Sequence, residues 1–437
     1  MPWSAEAEAY TSGQRWIILI SAVLGYVTDG YNLLILTFAL PSITTGLGIS
    51  AQQAGTVITL QLVASIVGGA LFGRIADSLG RKRALSWSIA LFSVGALLSA
   101  FSWNYSTLLL TRFLAGIGLG GEWGVGMALF SEAWTRHRGL GAAVIQSSLP
   151  IGSLLAGVVT ASIISDWGPN GWRVSLATGC LPILLCVVIR LWMPESRAWL
   201  ASRTRHAANG DSAANLLQVL RDSKATTRWL LAFGLVLGYM ISFYSVTSWM
   251  PTFIVRSFHE GPAVWQEVNT FAVWVVIPLK IAIGLWGDRV GRKVASLVPA
   301  AFTLAGSIGI VLVGLSPDRI FPGSIWTWSL FWMFFLWSMG NAQSSLMGAW
   351  LPESFETRIR ATATSTAYMF GRGGSALAPS AVAFFAADNL GLGMGVASIV
   401  GVILFTMCAV LLPETNSTQD LADDRLVTTP KGNDDDF

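Results

Sequence analysis

Gly73–Arg83 reads GRIADSLGRKR, and Gly284–Lys293 reads GLWGDRVGRK. Each stretch has a glycine, an aspartate four residues on, and a second glycine directly before a basic pair. Asp77 and Asp288 stand 211 residues apart. Further along each copy the similarity returns: SEAWTRHRG from Ser131 aligns with PESFETRIR from Pro352, placing Glu132 and Glu353 221 residues apart. A third pair, Pro194-Glu195-Ser196 and Pro413-Glu414-Thr415, keeps the same order. Three ordered pairs at similar offsets indicate a duplicated unit.

The sequence between these motifs is apolar. Over 437 residues, 53% are hydrophobic and 12% charged, about half the charge of a soluble domain. Crossing about 30 Å of hydrocarbon takes roughly 20 mostly apolar residues as a helix. Twelve such spans are predicted, at 16–40, 54–76, 84–102, 106–130, 139–165, 172–193, 228–254, 268–287, 294–314, 324–350, 360–386 and 391–412. The third and fourth must form a tight hairpin. The expected fold class is an all-α membrane protein of twelve helices in two six-helix bundles. Its parts would be an N-terminal segment (1–15), a first bundle (16–193), a linker (194–227), a second bundle (228–412) and a tail (413–437). The polar, acidic tail has too little apolar surface to bury and is expected to be disordered.

Lys and Arg accumulate on the cytoplasmic side of short membrane loops. With the N-terminus inside, only Arg173, Arg256 and Arg319 of the 27 basic residues face outward, and Arg112, Lys280 and Arg372 stay within spans. Both termini are therefore expected in the cytoplasm of a multi-pass protein of the bacterial inner membrane. The first apolar run is too long for a cleaved signal and reads as a retained helix. The near balance of 27 basic and 24 acidic residues gives no reason to expect a nucleic-acid partner. Cys180, Cys186 and Cys408 lie in apolar runs without metal-ligand spacing and read as buried thiols. No metal or cofactor is expected.

The loop at Gly73, Asp77, Gly80, Arg81, Lys82 and Arg83, with its partial copy at Gly284, Asp288, Gly291, Arg292 and Lys293, resembles the signature of the major facilitator superfamily. The resemblance covers about residues 16–415 and implies two bundles around a central cavity reached alternately from either side. It also implies a charge latch, or gate, made of Asp77, Arg81 and Glu132 in one half and Asp288, Arg292 and Glu353 in the other. Arg112, in RFLAGIGLG, resembles the superfamily's fourth-helix pattern. A role in closing the outer side or relaying protons stands beside a packing role. The GxGxxG at Gly116, Gly118 and Gly121 lies inside an apolar helix with no preceding strand, so it is not read as a dinucleotide site. Its small residues, like Gly69 and Gly73, suit close helix packing.

A charge at the bilayer centre costs at least about 2.5 kcal/mol even on permissive scales, so intramembrane charges are functional candidates. Four stand near the middle of their spans: Asp29, Glu122, Lys280 and Arg372. The acids belong to the first half and the bases to the second. Asp29 and Glu122 are candidate proton-coupling sites of equal rank, against permanent ion pairing as the structural reading. Arg372 offers a planar fork that matches a carboxylate, against a structural ion pair with either acid. Lys280 is a secondary substrate candidate that could instead snorkel. Asn32, Gln146, Asn341 and Gln343 could line a cavity, although membrane helices also use such side chains to join one another.

GLGGEWG at 118–124 resembles the fourth-helix region of bacterial metabolite, sialate and lactate:proton symporters. DGYNLLI at 29–35 resembles the first-helix motif of aromatic-acid:proton symporters, with Asn32 replacing its second acid. The resulting expectation is a monomeric, lipid-embedded carrier, not an enzyme, that takes up a small organic anion, such as a monocarboxylate, with protons by alternating access. Proton-coupled sugar or polyol uptake, drug efflux and nutrient sensing without transport are the alternatives.

Overall fold

A computed structural model describes residues 10–134, 137–208, 223–258, 262–315, 329–385 and 389–415. The expected disorder of the tail falls largely on 416–437, and the middle of the linker on 209–222, outside the described residues. Among the described residues there are sixteen α-helices and no strand. The first half contains α1 (Ser12–Leu47), α2 (Ala51–Leu79), α3 (Arg81–Ala100), α4 (Tyr105–Ala133), α5 (Arg138–Trp167), α6 (Gly171–Thr178) and α7 (Ile183–Trp192). After α8 (Arg197–Ala208) come α9 (Ser223–Phe258), α10 (Pro262–Val290), α11 (Arg292–Leu315), α12 (Ser329–Gly340), α13 (Ser344–Glu353), α14 (Arg360–Gly374), α15 (Ala378–Phe385) and α16 (Leu390–Leu411).

Local chemistry sets several of these boundaries. The Thr11 and Ser50 hydroxyls accept from the amides of Gln14 and Gln53, whose side chains accept from the cap amides in return, and Asn104 with Thr107 opens α4 in the same way. Each reciprocal pair satisfies two donors that a helix start leaves bare. Gly80 and Gly291 turn the chain between α2 and α3 and between α10 and α11, with φ of 112° and 97°, a region open to residues lacking Cβ. The signature loop is thus a turn of one residue in each half.

Ten described helical segments are long and apolar enough to span a membrane. The sixth contains the break between α6 and α7. The spans expected at 324–350 and 360–386 are not among these ten; within their described residues each is divided by one 3-10 turn, Asn341–Gln343 and Ser375–Leu377. Several helices also outrun their apolar spans: α1 has 36 residues and continues to Leu47.

Within the first half α2 packs on α4 and α1 on α5, while α9 and α11 pack on α16 in the second. The second half is stitched at its core by hydroxyls. Ser398 Oγ lies 2.7 Å from Ser242 Oγ and 2.6 Å from Ser307 Oγ and accepts from the Trp337 indole at 3.0 Å. The halves meet most extensively where α2 packs on α14 and α5 on α10, and α4 and α5 also pack on α13 and α4 on α14. Here backbones come close: a Cβ on Gly73 would lie 2.8 Å from Thr362 Cα, and one on Gly284 2.5 Å from the Gly139 carbonyl oxygen. Of the cysteines expected to be buried, Cys408 is, whereas Cys180 and Cys186 are half-buried. The reason is that α6 and α7 lie at the periphery, where Leu181, Leu184 and Val187 are exposed.

Candidate functional site

At the motif-bearing end the repeated residues assemble into two related networks. Arg81 meets Asp77 at 2.8 Å and Glu132 at 3.0 Å; Arg292 meets Asp288 at 2.8 Å and Glu353 at 3.0 Å. Both guanidiniums are fully buried. The aspartates reach across the molecule. Asp77 accepts from the amides of Ala361 (3.3 Å) and Thr362 (2.8 Å), which begin α14. Asp288 accepts from Gly139 (2.8 Å) and Leu140 (3.0 Å), which begin α5. A carboxylate at a helix start satisfies bare amides and meets the positive end of the helix dipole. Each half therefore caps a helix of the other.

Two layers of this network carry no assignment from the sequence. Glu195 accepts from the Arg81 and Lys82 amides at 2.8 and 3.2 Å, and Glu414 does the same for Arg292 and Lys293 at 2.5 and 3.0 Å. The Ser196 and Thr415 hydroxyls donate to Glu132 and Glu353. Arg360 crosses to Glu132 at 3.3 Å and Arg138 to Glu353 at 3.8 Å. The repeated Pro-Glu-Ser and Pro-Glu-Thr were the available signal for the first layer, but a short repeat does not say which amides it will face.

The second region lies midway along the helices. Arg372 Nη1 meets Asp29 Oδ2 at 3.4 Å, joining α14 to α1, with both side chains buried. The contact is single and long, and Asp29 Oδ1 has no hydrogen-bond partner, so the paired geometry open to a guanidinium and a carboxylate is unused. Arg372 stands in the last turn of α14 rather than in mid-helix, because the 3-10 turn at Ser375 interrupts the segment. That position turns the carbonyl end of the helix dipole toward the cation. Glu122 of α4 is buried with both carboxyl oxygens unpartnered and lies within electrostatic range of Asp29 and Arg372. It lines a cavity of about 20 Å³ with Ser21, Gly25, Tyr26, Trp123 and Met127, room for about one water.

Lys280 of α10 is held otherwise. Its ammonium donates to the backbone carbonyl of Gln146 at 3.1 Å. That carbonyl would ordinarily accept from the amide four residues on, but residue 150 is proline, inside α5, and has no N–H. The Gln146 side chain accepts from Trp123 Nε1 at 3.0 Å and donates to the Ser344 carbonyl at 2.9 Å. Trp123 stacks on Tyr368 with ring centroids 3.5 Å apart, and the Tyr368 hydroxyl lies 3.2 Å from that of Tyr26. Lys280, Gln146, Trp123, Tyr368 and Tyr26 thus form one chain of contacts through the centre. The sequence reading missed its three aromatic members, since 20 tryptophans and 7 tyrosines offer no way to choose among them.

Other candidates are placed less centrally. Asn32 donates to the Thr28 carbonyl within α1, and its Oδ1 faces Gly179 at the α6–α7 break. Asn341 and Gln343 occupy the turn between α12 and α13, and both side-chain polar atoms of Gln343 are buried without partners. Arg112 is buried on α4 with Nε and Nη2 unpartnered. It lies ten residues from Glu122, or about 15 Å of helix.

Residues 22–379 match the Major Facilitator Superfamily. A cis,cis-muconate transport protein of Acinetobacter baylyi is 27% identical, over 90% of this chain and 96% of the relative. A sialic acid transporter of Escherichia coli is 27% identical, over 90% and 92%. The fold superposes on a proton:xylose symporter with a TM-score of 0.75 at 19% identity, covering 93% of this chain and 98% of that one.

Proposed function

Because the chain belongs to the Major Facilitator Superfamily and is a multi-pass transporter of small metabolites rather than an enzyme, we propose that its cargo is a small organic carboxylate, taken up with protons. The observation that carries this reading is Arg372, a buried guanidinium held to the other half by one 3.4 Å contact with Asp29. An incoming carboxylate makes the two-pronged contact that Asp29 does not make and displaces it. Lys280 assists by exchanging the Gln146 carbonyl for the second end of the anion or for a polar group on it. Asn32, Gln146, Asn341 and Gln343 supply hydrogen bonds.

In this mechanism Glu122 carries the proton. Its two oxygens have no hydrogen-bond partner, and a buried carboxylate without hydrogen bonds is costly unless protonated. Asp29, released from Arg372, becomes the second group that a proton can neutralise. The contacts of Asp77 with α14 and of Asp288 with α5 hold the motif-bearing end shut until the loaded centre favours its opening. The crowding of basic residues at that end supports placing it, with both termini, in the cytoplasm beneath a bacterial inner membrane.

The deciding experiment is uptake into proteoliposomes under an imposed pH gradient, from a panel of monocarboxylates, aromatic acids, sialic acid and neutral sugars. Saturable, gradient-driven accumulation of an acid is expected. Accumulation of a sugar alone would overturn the proposal, and binding without flux would identify a sensor.

A further inference from the structure

The central aromatic pair has properties that neither the capping networks nor the charge pair requires. Trp123 and Tyr368 belong to opposite halves, on α4 and α14, and stack nearly parallel, at 14°. Both are almost wholly buried, at 3% exposure each. Trp123 follows Glu122 directly, and Tyr368 lies one helical turn before Arg372, so one ring adjoins the unpartnered carboxyl and the other shares a face with the guanidinium. The indole direction is set by Gln146 Oε1, within its own half, and therefore persists if the halves separate.

A carrier that opens alternately must part its halves at the depth of its cargo. Doing so separates these rings and leaves two flat, apolar faces beside Arg372. A flat guest restores the stacking that separation removes, whereas a puckered ring or flexible chain touches each face only along an edge. We propose that Trp123 and Tyr368 are specificity-determining residues that receive the body of the cargo, so that the carried acid is a planar aromatic or conjugated carboxylate. This inference rests on the carboxylate reading of Arg372.

The test compares acids alike in charge and carbon number but different in flatness: benzoate against cyclohexanecarboxylate, and muconate against adipate. Affinities are measured calorimetrically on the purified full-length protein. Stacking predicts a preference for the flat member of each pair of about two- to tenfold. Trp123→Leu should bring both ratios close to one, while Trp123→Phe, which keeps an aromatic face, should retain most of the preference. The ratio is the readout because a merely structural loss would weaken both members alike. Equal affinities in the parent would overturn the inference even if no variant folds, and leave the carboxylate reading standing. An undiminished ratio in a folded Trp123→Leu protein would overturn it as well. Binding of neutral sugars with no binding of any of the four acids would remove the carboxylate reading and the inference together.

Discussion

Pro150 and Lys280 act on one backbone atom: the proline leaves the Gln146 carbonyl without its helical donor, and the Lys280 ammonium, on a helix of the other half, takes that place at 3.1 Å. A buried ammonium bonded to a carbonyl, and in no ion pair among the described residues, can release its partner to an incoming anion without leaving an acid unpaired behind it. The proline and the charge form one device, although they are far apart in sequence.

That relationship predicts non-additive energetics. Lys280→Met should destabilise the parent by about 1–3 kcal/mol, the cost of a buried group left without its hydrogen bond. In a Pro150→Ala background the restored amide satisfies the carbonyl, so the same substitution should cost less, by roughly 1 kcal/mol. Thermal unfolding of the four proteins in detergent measures the difference. Additive shifts would show that the two residues do not meet at Gln146.

Asp77 holds the start of α14 and Asp288 the start of α5. Removing a helix cap costs about 1 kcal/mol, which is roughly a fivefold change in an equilibrium between conformations. Asp77→Ala should therefore move the population by about that factor toward the state open at the motif-bearing end. Spin-label distances between α2 and α14 report it, and an unchanged distribution would leave these residues a topological role alone.

Glu122→Gln keeps the shape of the side chain and removes its ability to take up a proton. The variant should exchange substrate across the membrane and fail to accumulate it under a pH gradient. Asp29→Asn should retain part of the accumulation and bind anions more tightly, because it frees Arg372. Normal accumulation by both variants would exclude both acids from coupling.

Arg372→Lys preserves the charge and loses the planar fork. Affinity for the transported acid should fall on the order of ten- to a hundredfold, the loss of one charged hydrogen bond. Affinity for the uncharged amide should change little. Equal discrimination between acid and amide in parent and variant would take Arg372 out of the site.

Cysteines introduced at 203–224 should react only with reagents that enter the cytoplasm, as the basic-loop asymmetry requires. Labelling of intact cells by impermeant reagents at these positions would reverse the orientation.

The sequence alone determined the architecture, because its signals are local or repeated. Apolar length marks a membrane helix wherever it occurs, and the paired motifs around Asp77 and Asp288 reveal a duplicated unit before any contact is known. It also singled out Asp29, Glu122, Lys280 and Arg372, since a charge in an apolar run stands out without reference to its neighbours. Only the tertiary structure decided the partners. Nothing near Asp77 says that it will cap a helix beginning at Arg360, and nothing near Trp123 says that it will lie on Tyr368. The breaks at Asn341–Gln343 and Ser375–Leu377 were equally hidden, because hydropathy does not register a change from α to 3-10 hydrogen bonding. Charge and hydropathy belong to single residues and survive in a linear reading. Caps, stacks and a proline-freed carbonyl depend on two surfaces meeting, and that is a property of the packed chain.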